Sequence, residues 1–256
     1  MHSAQNKGRL MAVLGTGLCL PDEQTAAACG FSDCALDASL LPPLVRRRTS
    51  MATRMAVCAA DRACTAAGGE RDLSAVFVSA AGEMQVTDKL CSAIARQQYP
   101  LSPTLFHNSV HNTAAGYWSM ATGSMAPMQA MAALDDGLAL GLLEAWCQLQ
   151  TTVERVLLVV YDESLPEQLL PDYHWDNCAL ALVLGTETAG APVLSVPYRS
   201  GEIPAGAGAR RLKAANPAMA GLALLRLLQQ PAPGPHRVAL TDGEPGWSTD
   251  LVIGPA

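Results

Sequence analysis

Charge is missing where a long polar-looking segment would normally carry it: from Gln97 to Leu134 there is no Asp, Glu, Lys or Arg. A stretch that excludes charge over such a length packs against protein on all sides. A basic excess is missing too. Lys and Arg number 17 against 23 Asp and Glu, a formal net charge of -6, which argues against binding to nucleic acid. The 8 cysteines contain no Cys-x-x-Cys, so the sequence gives only weak support for a zinc or dithiol redox motif. They read as small buried hydrophobes in a reducing compartment. No apolar run approaches a membrane span, because the charge-free stretch is interrupted by Ser, Thr, Asn, Gln, Gly and Pro. Gly15-x-Gly17 follows an apolar strand but lacks the third glycine and the helix start of a dinucleotide site. Neither an internal repeat nor a low-complexity segment is present. Met1 to Arg9 is short and polar, and glycines break Leu10 to Leu20. This start reads as a first strand and turn rather than a signal peptide, and a cytoplasmic protein is expected.

A hydrophobic fraction of 50% in 256 residues is ample for one large or two small domains. Apolar strands alternate with helical segments. The expected strands are Leu10–Leu14, Ala75–Ser79, Met128–Leu134, Arg155–Tyr161 and Cys178–Leu184. Ser50–Ala67 reads as a helix with a hydroxyl cap and a Gly68-Gly69 stop. Thr87–Gln97 and Asn112–Thr122 supply further helices. Such alternation gives an α/β fold with a mainly parallel sheet covered on both faces. Beyond Gly185, Pro192–Tyr198 reads as a strand and Gly201–Gly208 as a turn. Asn216-Pro217 then opens a leucine-rich helix to Gln230, and Arg237–Leu240 is the last expected strand.

Asp135 and Asp136 close the charge-free segment and precede the buried-helix pattern from Leu138 onward. A carboxylate there is stabilised by the unpaired N–H groups and positive dipole end of the helix, so an ordinary N-cap explains it. A strand, a sharp turn and a buried helix also form the elbow that presents a nucleophile in many enzymes. A carboxylate nucleophile would give a reactive mixed anhydride with an acyl group, so acyl transfer runs better on Cys or Ser. His107 and His111 are four residues apart, but no third ligand of suitable spacing accompanies them and no metal site is assigned. Arg46, Arg47, Arg48 and Arg54 form a basic group that is either a solvated face or a surface for an acidic partner.

The ordered set Ser102-Pro103, Asn112, Ala115-Gly116, Gly123, Pro127 and the strand-elbow-helix from Met128 to Glu144 resembles the β-ketoacyl-ACP synthases of the thiolase superfamily. The run from Arg46 to Met55, the Ala81-Gly82-Glu83 turn and the string from Ser109 to Gly116 resemble chain-length-factor-like subunits of aryl-polyene-type polyketide systems. The resemblance covers Arg9 to Gly185 well and the remainder weakly. It implies a thiolase-like fold in which residues 1–190 form the first half: five strands in the order 3-2-1-4-5, the last antiparallel, with helices on both faces. Residues 191–256 would be the truncated start of the second half.

The resemblance puts Asp135 where the family has its nucleophilic Cys, and the two catalytic His are not found. The turn Thr241–Gly246, near which the first would fall, contains none. The implied role is therefore a subunit without catalytic residues or cofactor. It would pair as a heterodimer with an active ketosynthase in polyketide, aryl polyene or fatty-acid-type synthesis, shape its acyl tunnel, and meet acyl carrier protein transiently. Interface and tunnel residues would be Leu105, Phe106, Ser109, Val110 and His111, with Met128, Ala130, Ala132 and Leu134 along the edge strand. Acyl transfer or hydrolysis by Asp135 or Asp136, and a purely structural scaffold, are the alternatives.

Overall fold

A computed structural model describes residues 10–168, 171, 174–186, 190–200, 216–241 and 246–254. The strands are β1 (Leu10–Cys19), β2 (Ser74–Val78), β3 (Met128–Met131), β4 (Arg155–Asp162), β5 (Cys178–Gly185), β6 (Val193–Ser195), β7 (Tyr198–Ser200), β8 (Gly234–Ala239) and β9 (Gly246–Ile253). The helices are α1 (Glu23–Cys29), α2 (Pro43–Arg46), α3 (Met51–Ala66), α4 (Met84–Ala95), α5 (Pro103–Asn108), α6 (Thr113–Thr122), α7 (Gly137–Leu149) and α8 (Leu222–Gln229).

All nine described strands join one sheet in the order β3-β2-β4-β5-β1-β6-β9-β7, with β8 paired to β9. β2, β3 and β4 are mutually parallel, and β5 is antiparallel to both β4 and β1. The α/β class and the thiolase-like architecture hold, but the sheet is mixed rather than mainly parallel: β2 with β3 and β2 with β4 are the parallel pairs, and the other six described pairs are antiparallel. The order 3-2-1-4-5 does not, because β1 lies beyond β5 instead of between β2 and β4. All eight residues of β5 are buried. Such a strand needs a hydrogen-bonding neighbour on each side and cover on each face; the structure supplies β4 and β1 as neighbours.

β1 also runs five residues past the expected end at Leu14, and its glycines explain why. A Cβ at Gly15 would lie 2.3 Å from the Ala63 carbonyl oxygen, and one at Gly17 would lie 2.0 Å from that of Ala59. The glycines therefore let α3 lie directly on β1, and no phosphate cradle is involved. α3 starts at Ser50, whose side chain accepts the Thr53 N–H at 2.9 Å, and ten of its residues are buried. Gly68 and Gly69, both at positive φ, turn the chain away, as the sequence suggests.

One apolar core, built on α3 and α6, covers one sheet face. The other is covered by α7, the 3-10 turn Pro217–Gly221 and α8, and Val238 of β8 and Leu251 and Ile253 of β9 belong to the same core. Asn216 joins this layer to the end of β4. Its amide donates to the Asp162 and Asp176 carbonyls at 2.6 and 2.8 Å, and its oxygen accepts the Ala218 N–H at 2.8 Å. A strand expected over Pro192–Tyr198 is instead two short ones, β6 and β7. Arg237–Leu240 is not the last strand, since β9 follows it. The expected Gly201–Gly208 turn, Met1–Arg9, and Asp242–Pro245 of the Thr241–Gly246 turn lie outside the described residues. Cys19, Cys34, Cys58, Cys64 and Cys178 are buried, Cys29 is half-buried, and Cys91 and Cys147 are exposed; all are free thiols. No described helix is long and apolar enough to cross a membrane.

Candidate functional site

β2, β3 and β4 point their carboxyl ends the same way, and the loops that follow them meet at one edge of the sheet. In open α/β sheets this is where ligand and reaction sites are built. After β3 the chain passes through Ala132 and Ala133, makes a 3-10 turn over Leu134–Asp136, and enters α7 at Gly137. Leu134 holds a left-handed φ of 44°, rare for a branched side chain, and is 71% exposed. The bend is therefore a sharp elbow. α7 is seated on the sheet because a Cβ at Gly141 would already touch Val78 and Leu158 at 2.8 and 2.9 Å. Leu138 and Leu142 are buried beneath it, and Leu143 is half-buried.

Asp135 is exposed at the tip of the elbow. Asp136 occupies the N-cap position of α7, but its side chain accepts no capping hydrogen bond. Its Oδ2 instead lies 3.4 Å from Arg199 Nη2 on β7, and the Arg199 guanidinium stacks 4.3 Å from the Trp247 ring centre. Both ionic groups of that pair are partly exposed, so it adds about 0–1 kcal/mol to stability.

His111 sits behind the elbow. Its Nε2 is 3.0 Å from the Met131 carbonyl oxygen, and its Nδ1 lies 2.9 Å from where a Gly82 Cβ would stand. The Ser79 N–H donates to the same Met131 carbonyl at 3.2 Å, so two donors tie down the end of β3. His107 lies on α5, and its ring meets Tyr117 edge-on at 6.3 Å. No cluster of metal-ligating side chains occurs among the described residues.

Beneath the elbow lies a feature the sequence reading missed: Glu83, Asp162 and Glu163 are each at most 3% exposed. Asp162 Oδ1 accepts the Ser79 hydroxyl at 2.6 Å and the Ala81 N–H at 2.9 Å, and Oδ2 accepts the Ala80 N–H at 3.0 Å. Burial nonetheless pushes its carboxyl up to about 6. Glu163 accepts the Ala52 and Gln85 N–H groups, each at 3.2 Å, and burial with the neighbouring Glu83 pushes it up to about 7. Glu83 accepts the Thr53 hydroxyl at 2.6 Å on one oxygen, while its other oxygen is buried with no partner. Burial raises its pKa against the lowering effect of Ser50, Thr53 and His111. The signal for this network was available in two acids ending the apolar strand Arg155–Tyr161.

Of the residues proposed from sequence for an interface, Leu105 and Phe106 lie on α5, Ser109, Val110 and His111 follow it, and Met128 and Ala130 lie on β3. Among the described residues, β3 is a terminal strand of the sheet and pairs with β2 alone. It spans Met128–Met131 rather than reaching Leu134, so Ala132 and Leu134 belong to the elbow. Met128 and Ala130 are half-buried and Ala132 is exposed. On the flanking α5 and the turn after it, Phe106 is 67% exposed and Val110 45%, whereas Leu105, Ser109 and His111 are half-buried. Tyr99, Met120 and Met125 are exposed as well, so large exposed apolar side chains concentrate in the charge-free segment.

The family model of the β-ketoacyl synthase N-terminal domain matches residues 22–248. No curated protein matches. Among solved structures, the ketosynthase (ApeO) in complex with its chain length factor (ApeC) from Xenorhabdus doucetiae aligns with TM-score 0.69 at 19% identity, covering 94% of this chain and 98% of that one. The ishigamide ketosynthase/chain length factor aligns with TM-score 0.59 at 15% identity, over 87% of this chain and 74% of that one. A type II polyketide synthase complex, AntDE:AntF, in which an acyl-carrier protein is bound to its ketosynthase, gives TM-score 0.59 at 16% identity, over 76% and 70%. These likenesses show the fold. With an elbow at the carboxyl ends of the parallel strands and a family match over most of its length, the chain belongs to the β-ketoacyl synthase family, matching its N-terminal domain.

Proposed function

We propose that the chain is a non-catalytic, chain-length-factor-like subunit that pairs with an active β-ketoacyl synthase and shapes the tunnel in which the acyl chain grows. The observation that carries this reading is the uncharged edge strand: among the described residues β3 ends the sheet, it has no charge and no internal proline, and the charge-free segment that contains it exposes Phe106, Val110, Met120, Met125 and Leu134. An edge strand left in water is normally protected by Lys, Pro or a bulge, and an apolar patch of this kind marks an interface. Pairing with an edge strand of a second subunit would satisfy its backbone and cover the patch.

The elbow supports the negative half of the proposal. Condensation needs a thiol that forms a thioester and donors for the enolate, and Asp135 at the elbow tip is a poor acyl acceptor. The two solved chain-length-factor complexes support the partner class. Acyl carrier protein is proposed as a transient partner at Arg46, Arg47, Arg48 and the 72% exposed Leu44, a basic surface on a chain whose net charge is -6. Residues 1–190 and 191–256 are proposed as the first thiolase half and the beginning of the second. Aryl polyene or other polyketide synthesis is the proposed setting, in the cytoplasm. Co-expression with a catalytic ketosynthase subunit from the same genome, followed by co-purification and product analysis, tests the proposal; failure of the two to co-purify would contradict it.

A further inference from the structure

We propose that His111 is a positioning residue for the partner-facing edge: it does not line the tunnel, but fixes the carboxyl end of β3 through the Met131 carbonyl, and with it the backbone groups that a second subunit would pair. The inference rests on the reading of β3 as the pairing strand. The last rung between β2 and β3 carries it. The Met131 carbonyl accepts the Ser79 N–H at 3.2 Å, and His111 Nε2 stands 3.0 Å from the same oxygen. A carbonyl only accepts, so Nε2 bears the proton and the imidazole is the donor. At the start of the strand, the Pro127 carbonyl accepts the Ala75 N–H at 3.0 Å. Backbone groups alternate sides along a strand. With Pro127 and Met131 turned inward to β2, Met128 and Ala130 turn theirs outward to the free edge. β3 has four residues and, among the described residues, one neighbouring strand, so the direction of its end depends on this rung.

The turn that carries the ring is itself anchored. The Thr113 N–H donates to the Val110 carbonyl at 3.1 Å, and the Thr113 hydroxyl is shared between the Val110 and Asn108 carbonyls at 2.7 and 3.2 Å. Asn108 is buried; it accepts the Tyr117 hydroxyl at 2.9 Å and donates to the Arg48 carbonyl. Across from the ring stands Gly82, at a φ of 63°. A Cβ there would lie 2.9 Å from Nδ1, so the ring occupies space that a side chain would fill. The Gly82 N–H donates to the Ser79 hydroxyl at 2.7 Å, that hydroxyl donates to Asp162 at 2.6 Å, and Asp162 also accepts the Ala80 and Ala81 N–H groups. The turn that seats the ring and the N–H that shares its carbonyl are therefore one hydrogen-bonded unit. Val110, the residue before, is 45% exposed, whereas His111 is half-buried. A tunnel role, expected for both from sequence, is thereby left to Val110.

Two variants of the full chain separate the donor from the ring. His111→Phe keeps a flat ring of similar size without a donor, and His111→Gln keeps an N–H donor of similar reach without the ring. Nitrogen NMR of the purified wild-type chain with labelled histidine should find a proton on His111 Nε2. Hydrogen exchange of the Ser79 amide should run about tenfold faster in His111→Phe, the scale of one lost hydrogen bond, and near the wild-type rate in His111→Gln. Affinity for a catalytic ketosynthase subunit should fall about tenfold in His111→Phe and recover in His111→Gln. An unprotonated Nε2, or Ser79 exchange in His111→Phe at the wild-type rate, would overturn the proposal. So would a loss of affinity in His111→Phe that His111→Gln does not recover, because a ring that touches the partner directly gives that pattern. Should His111→Phe fail to fold, the Nε2 proton with wild-type exchange in His111→Gln supports the proposal, and faster exchange in His111→Gln overturns it. The spectrum and the exchange rates are read on the chain alone. If they come out as expected and the wild-type chain binds no ketosynthase, the pairing is what fails, and the hold of His111 on β3 stands.

Discussion

Gly17 shows how a residue can be read correctly as unsuited to one task while its real task stays hidden. The missing third glycine rightly excluded a nucleotide loop, but only the structure shows α3 lying on the glycine backbone. Gly17→Ala should cost roughly 3 kcal/mol or prevent folding, because its Cβ would meet the Ala59 carbonyl at 2.0 Å and backbone cannot yield as a side chain can. Gly116→Ala is the control. It adds a Cβ to an exposed position of α6 with nothing within 4 Å, and should stabilise by about 0.5–1 kcal/mol in denaturant titration of the isolated chain. The same scale holds the elbow chemistry. Asp135→Cys should restore a thiol at the tip without restoring condensation, and detectable carbon–carbon bond formation by that purified variant alone would contradict this. The buried acids were harder to read. Sequence shows that Asp162 and Glu163 end an apolar strand, but their burial depends on the turn of β2, eighty residues earlier in the chain, folding over them.

Elements with strong local signals were legible and those defined by long-range pairing were not. α3, α6, α7 and the five strands up to β5 were visible in apolar periodicity, caps and glycine stops. The order of the strands was carried over by resemblance, and it placed β1 wrongly. The eight-residue apolar run of β5 was the local clue, since it marks a strand with a partner on each side. β9, with Ser, Thr and Asp among its apolar residues, was not recognised because it is a strand through pairing with β6, β7 and β8. The edge strand β3 yields the sharpest test at this scale. Ala130→Lys adds the charge that natural edge strands use to repel partners. Burying it unpaired costs about 3 kcal/mol, so affinity for the ketosynthase should fall roughly a hundredfold. Isothermal titration of the two purified subunits would measure it, and unchanged affinity would remove β3 from the interface.

At the scale of the whole molecule, the described residues form a single nine-stranded sheet that ends in β3 on one side and β7 on the other. One face of the sheet is sealed by α3 and α6 and the other by α7 and α8, and the β3 edge with the charge-free segment that contains it is the surface proposed to meet a partner. The central claim is that this surface meets a ketosynthase and sets the length of what it makes. Reconstitution of the ketosynthase that co-purifies with this chain and its acyl carrier protein, with this chain either wild-type or carrying Val110→Trp, measures that most directly, with products sized by mass spectrometry. The expected result is a defined product length with the wild-type chain and shorter products with Val110→Trp, the complex remaining intact. The same product distribution with the wild-type chain, with Val110→Trp and with no chain at all would contradict the account.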